Sequence, residues 1–101
     1  MRKIEETMCA AVKARMNYKS GNTEVVISDG GSKAAVYLHG NKIYMESSEG
    51  WAWFSLCGWN TSTTRSRLNA LGVHVYQRNW MPYYNGEEIS SKEVYKIPIK
   101  R

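Results

Sequence analysis

The sequence predicts an α+β fold: one antiparallel sheet of about five to six strands with an N-terminal helix and a second short helix, in the order α-β-β-β-β-α-β-β. Three observations carry that expectation. Apolar residues recur every three to four positions across residues 3–16, the period of a helix with one buried stripe. Short alternating runs then follow one another, separated by Asp29-Gly30-Gly31, Gly40-Asn41 and Ser47-Ser48-Glu49-Gly50, as in a meander. Finally, Asn60 or Thr61 opens a second helical segment that Gly72 closes. A chain of 101 residues suits a single domain, 1–101, with 98–101 expected as a loose tail.

The first helix has Ile4, Met8, Val12 and Met16 on its stripe, with Glu5, Glu6, Lys13 and Arg15 largely off it. That pattern fits a helix packed on a sheet; a membrane-surface helix needs a bulkier apolar face. Tyr18 to Asn22 reads as a connector. Thr23–Ser28 is β-branched and extended, and Lys33–His39 returns antiparallel to it. Ala34, Val36 and Leu38 alternate with Ala35, Tyr37 and His39. Lys42–Glu46 is the third strand, with Ile43 and Met45 expected inward.

The stretch from Trp51 to Gly72 organises the chain. Trp51, Trp53, Ser55 and Cys57 share one face of a fourth strand, and Ala52, Phe54 and Leu56 share the other. Bulky apolar groups on both faces predict a central strand covered on both sides. Thr64, Leu68 and Leu71 give the second helix its buried stripe, leaving Ser62, Arg65, Ser66, Arg67 and Asn69 outside. Gly72 ends the helix because glycine adopts the left-handed conformation without steric cost. Val73–Trp80 then alternates: Val73 and Val75 inward, His74, Tyr76, Arg78 and Trp80 outward. Pro82 restricts its segment to an edge or bulge. Asn85-Gly86 is a hairpin turn, and a last strand falls around Glu93–Ile97 before Pro98.

No reaction is written into these residues, and no catalytic residue, metal ligand or cofactor is assigned. His39 and His74 have no carboxylate at relay spacing. Gly30-Gly31 lacks the lysine and following helix of a phosphate-gripping loop. Glu46, Glu49, Glu87 and Glu88 read as solvated turn acids. Cys9 and Cys57 lack metal-ligand spacing and read as buried thiols. No apolar run is long enough to span a bilayer.

Charge and aromatic content point instead to binding. The formal net charge is +5, which favours anionic partners. Four Trp and seven Tyr stand against a single Phe, so most of the aromatic area carries a polar edge, as at contact surfaces. Two candidate surfaces follow. Ser62, Arg65 and Asn69 form a helical ridge with Arg67 beside it, which suits a major groove or a solvated helix face. Tyr76, Arg78 and Trp80 share a strand face that mixes rings with a cation, and could stack bases or anchor a protein.

Two segments carry a family resemblance. Val36-Tyr37-Leu38-His39-Gly40-Asn41-Lys42-Ile43 and the run from Gly58-Trp59-Asn60 through Arg65-Ser66-Arg67-Leu68-Asn69-Ala70-Leu71 resemble a group of small accessory proteins of tailed bacteriophages. The resemblance covers roughly residues 4–84. Arg65 stands where that pattern has lysine, which keeps the charge. It implies a phage origin and an accessory role in the host bacterial cytoplasm, and it transfers no catalytic residue. Small phage accessory proteins commonly act by binding, so the resemblance implies that this one occupies a macromolecule. The expected partner is therefore a host or phage protein complex, with inhibition of a host defence or nucleic-acid-handling complex the specific expectation. Direct binding of double-stranded DNA is the alternative, and no membrane role is expected.

Overall fold

The chain forms helix α1 (Lys3–Ala14), strands β1 (Tyr18–Ser20), β2 (Thr23–Ser28), β3 (Lys33–Leu38), β4 (Asn41–Ser47) and β5 (Trp51–Phe54), helix α2 (Ser62–Ala70), and strands β6 (Val75–Arg78), β7 (Met81–Tyr84), β8 (Glu87–Glu88) and β9 (Tyr95–Pro98). These are the elements of a computed structural model that describes residues 2–99. The fold is α+β, as predicted, but the strands divide into two sheets. Six pair antiparallel in the order β1-β2-β3-β4-β5-β9, and β6-β7-β8 form a second, smaller sheet.

The N-terminal stripe buries Met8 and Val12 together with Ala11. Met16, expected on that stripe, is 62% exposed, because the helix ends at Ala14 and Arg15 turns left-handed at φ 56°. Residues 18–20 are not a connector. Gly21, at φ 56°, reverses the chain so that Tyr18 pairs with Val25 and packs on the core. His39 is likewise not a strand residue: His39 and Gly40, at φ 52° and 78°, are the turn between β3 and β4.

A bulge sets which side of β4 is buried. Val36 pairs with Tyr44 but Tyr37 pairs with Lys42, so Ile43 is the extra residue. Ile43 and Tyr44 are therefore both buried, and the alternation resumes one residue out of phase, with Glu46 inward. Met45, expected inward, is only partly buried on the opposite face.

Strand β5 lies between β4 and β9, yet only one of its faces is covered. Ala52 and Phe54 join the core, where Phe54 stacks on Tyr95 at 5.5 Å and meets Tyr84 at 5.2 Å. Trp51, on the other face, is 42% exposed, and Trp53 is partly buried. The expected covering of both faces does not occur, because the helices and the small sheet all contribute to one core.

The last strand starts two residues later than expected, and Pro98 closes it as its final residue. That proline lies opposite Trp51, on the outermost strand of the sheet, where a missing N–H is tolerated. Ile99 continues with an N–H to Gly50 O bond of 2.9 Å. Of the expected loose tail, residues 100–101 lie outside the described residues. Cys9 and Cys57 are free and partly buried, with Sγ donating to Ala70 O and Lys42 O respectively.

Candidate interaction surface

Helix α2 is fixed at both ends by local chemistry. Of the two caps that the sequence offers, Asn60 and Thr61, it is Thr61 whose Oγ1 accepts the Thr64 N–H, at 3.2 Å. At the other end Gly72 (φ 94°) donates to Asn69 O at 3.0 Å and Val73 to Leu68 O at 2.9 Å, a Schellman closure. Thr64 and Leu68 are buried, and Leu71 is partly buried.

Arg67 does not belong to an exposed ridge. It is 4% exposed, and its Nη1 donates to Glu5 Oε2 at 2.6 Å while Nε donates to Thr23 Oγ1 at 3.2 Å. Ser66 Oγ donates to the same Glu5 oxygen at 2.6 Å. Burial works against ionisation of Glu5, but the bonds from Ser66, Arg67 and the Arg2 N–H, with the guanidinium charge, hold its pKa below the ordinary carboxylate value. Glu5 also joins burial in raising the pKa of the Cys9 thiol, with burial the larger cause. The signal for this pair was present. Arg67 lies three residues after Thr64, and Glu5 three before Met8, so each charge sits on a buried stripe.

The rest of the ridge is largely committed to the fold. Arg65 Nη1 donates to Asn60 O at 3.1 Å, to Asn60 Oδ1, and to Gln77 Oε1 at 3.0 Å. Asn69 Nδ2 donates to Arg65 O and Val75 O, each at 2.7 Å, and so ties the helix to β6. Ser62 is exposed in the first turn. These bonds make α2 a brace for the β6–β7 hairpin, a role that Asn60 and Gln77 reveal and that their positions in the sequence do not.

The hairpin carries the other predicted residues. Val75 is buried, so Tyr76 and Arg78 face away from the core, as expected. Tyr76 is 43% exposed and stacks on its cross-strand partner Tyr83 at 5.6 Å. Arg78 pairs with Met81, which extends the outward face with a residue not singled out from sequence. Trp80 does not share that strand face. The strand ends at Arg78, and Asn79 and Trp80, at φ 51° and 67°, form the turn. Trp80 is 85% exposed at the hairpin tip, so it does not pack under α1. A cleft bordered by Asn60, Trp80, Met81, Ile89 and Tyr95 opens beside the tip.

A left-handed conformation is unusual for a bulky residue, and two-residue hairpin turns of this type favour Asn-Gly. Asn85-Gly86, at φ 53° and 83°, shows that preference in the next turn of the same sheet. Trp80 occupies the corresponding glycine position with a large apolar ring held in solvent.

Among the described residues, no group of three or more His, Cys, Asp or Glu could hold a metal ion, and no helix is long and apolar enough to cross a membrane. The family described as Kyanoviridae Gp96 protein matches residues 1–98. No curated protein and no solved structure matches the chain.

Proposed function

This chain belongs to the Kyanoviridae Gp96 family of bacteriophage proteins, and we propose that it acts without catalysis, by binding a host or phage protein complex through the tip of the β6–β7 hairpin. The observation that carries this reading is Trp80: a tryptophan at 85% exposure in a backbone conformation that favours glycine. Neither the core nor the turn gains from the ring there, and tryptophan is the residue type most enriched at binding hot spots. Arg78, Met81 and the Tyr76–Tyr83 stack supply the surrounding contact area. The brace from Arg65 and Asn69 holds the hairpin in place before a partner arrives, which reduces the ordering cost of association. Inhibition of a host defence or nucleic-acid-handling complex is the role we assign to that contact. The DNA-binding alternative loses support on the helix, because Arg67 is buried against Glu5 and Arg65 is drawn back to Asn60 and Gln77.

Affinity purification from infected cells, with and without nuclease and with Trp80→Gly in parallel, tests the proposal. The expected result is a protein partner that survives nuclease and is lost from Trp80→Gly. A partner lost on nuclease treatment favours the DNA reading; one retained by Trp80→Gly removes the hairpin tip as the contact.

A further inference from the structure

The face of the six-stranded sheet away from the core has its own chemistry. The register aligns Val26, Ala35, Met45, Trp53 and Lys96 in one row across five strands. Because Ala52 and Phe54 are buried, Trp51 lies beside Trp53 on this outward face, and Tyr37 lies there by the same alternation against Val36 and Leu38. Lys96 Nζ stands 4.5 Å from the Trp51 ring centroid and 5.7 Å from that of Trp53. Lys19, Lys33 and Lys42 add three more cations through register, against Glu24 in the same strands and Asp29, which pairs with Lys33 at 3.2 Å.

We infer that this face binds single-stranded DNA. Unstacked bases have two apolar faces and a phosphate between successive sugars, so they need rings with cations interleaved. Trp51 and Trp53 are two residues apart on one strand, about 7 Å, which is within the reach of neighbouring nucleotides. Lys96 sits against both rings, where the linking phosphate would meet it. The excess of lysine disfavours a second copy of this face and an acid-poor protein surface alike. A sheet face with aromatic side chains standing clear offers splayed bases a stacking platform. Single-stranded DNA and RNA differ at this face by the ribose 2′-hydroxyl, and competition with oligo(rU) separates the two. This surface is separate from the hairpin tip, and its test does not depend on Trp80.

Fluorescence anisotropy with labelled oligo(dT) of about 20 nucleotides at about 50 mM salt reads the binding, with oligo(rU) and a duplex of equal length as competitors. The unmutated protein is expected to bind oligo(dT) at least about tenfold more tightly than the duplex, a stacking preference. Trp51→Ala and Trp53→Ala are each expected to weaken it at least about fivefold, as loss of one stacked base does. Lys42→Gln with Lys96→Gln should flatten the slope of log K against log salt by about 0.7 per lost phosphate contact. Circular dichroism checks the folding of each variant, and the lysine pair reports independently should a tryptophan variant unfold. Trp80→Gly should leave oligo(dT) binding unchanged. No binding by the unmutated protein, duplex bound as tightly, oligo(rU) bound more tightly, or an undiminished salt slope in the lysine variant would each overturn the inference.

Discussion

Glu5 and Arg67 lie 62 residues apart in the chain and meet at 2.6 Å, with side chains 3% and 5% exposed. The pair joins the first turn of α1 to the middle of α2, and Thr23 on β2 and Ser66 complete its hydrogen bonding. Both helices are thereby fixed against the sheet at one point. A second ion pair, Arg15 to Glu46 at 2.9 Å, ties the far end of α1 to β4, with Tyr44 donating to the same carboxylate at 2.9 Å.

Removing one partner of the buried pair should be costly. Arg67→Ala leaves the Glu5 carboxylate desolvated without its guanidinium, so the expected loss is about 3–5 kcal/mol in urea or thermal unfolding. A Glu5→Leu, Arg67→Met double variant should recover much of that loss, since replacing both charges with apolar groups is often neutral or stabilising. Equal destabilisation of the single and double variants would show that packing, and not the unpaired charge, sets the cost. A consequence follows for DNA assays: an Arg65→Ala, Arg67→Ala variant perturbs the fold and cannot isolate a phosphate contact on α2.

The same pair gives the stability an acid limb. The folded pKa of Glu5 is lowered from 4.5, so its contribution is fully present above that unfolded value. As pH falls through 4.5 the unfolded chain takes up a proton that the folded chain still refuses, and stability declines until the folded pKa is passed. Glu5→Gln should flatten this part of the pH–stability profile. An acid limb as steep in Glu5→Gln as in the unmutated protein would assign the effect to other carboxylates.

Leu68 and Leu71 separate the buried stripe of α2 from its end. Leu68 is fully buried, and Leu68→Ala should cost about 2–5 kcal/mol. Leu71 is only partly buried at the helix cap, so Leu71→Ala should cost clearly less. Equal shifts in melting temperature would contradict the helix orientation.

Trp80 should show a trade between stability and binding. Trp80→Gly relieves the left-handed conformation but adds unfolded-chain entropy, so unfolding should change between zero and about 1 kcal/mol, in the stabilising direction. Partner binding should weaken by about 1–3 kcal/mol in the same variant and in Arg78→Ala. Destabilisation of Trp80→Gly by several kcal/mol would mean that the ring packs in the fold, contrary to its exposure.

The local sequence determined those features whose causes are themselves local. The Met8 and Val12 stripe of α1, the Thr61 cap, the Gly72 closure and the Asn85-Gly86 turn each depend on residues within one or two turns of chain, and each forms where its residues predict. The phage affiliation was equally legible, in the segments around Gly40 and Gly58. What the tertiary structure decided was where each side chain ends up. A one-residue bulge at Ile43 reversed the side that Met45 occupies, and alternation alone contains no signal for a bulge. Arg67 looked like an exposed cation because its counter-charge is Glu5, and sequence order does not show that α1 and α2 lie side by side. Trp80 looked like a strand residue until the turn at Asn79 placed it at the tip. Trp51 and Trp53 looked like core because burial depends on which face the helices cover, and the helices chose Phe54. The period of a pattern is written in the chain; the partner that meets each face is set only when distant segments pack.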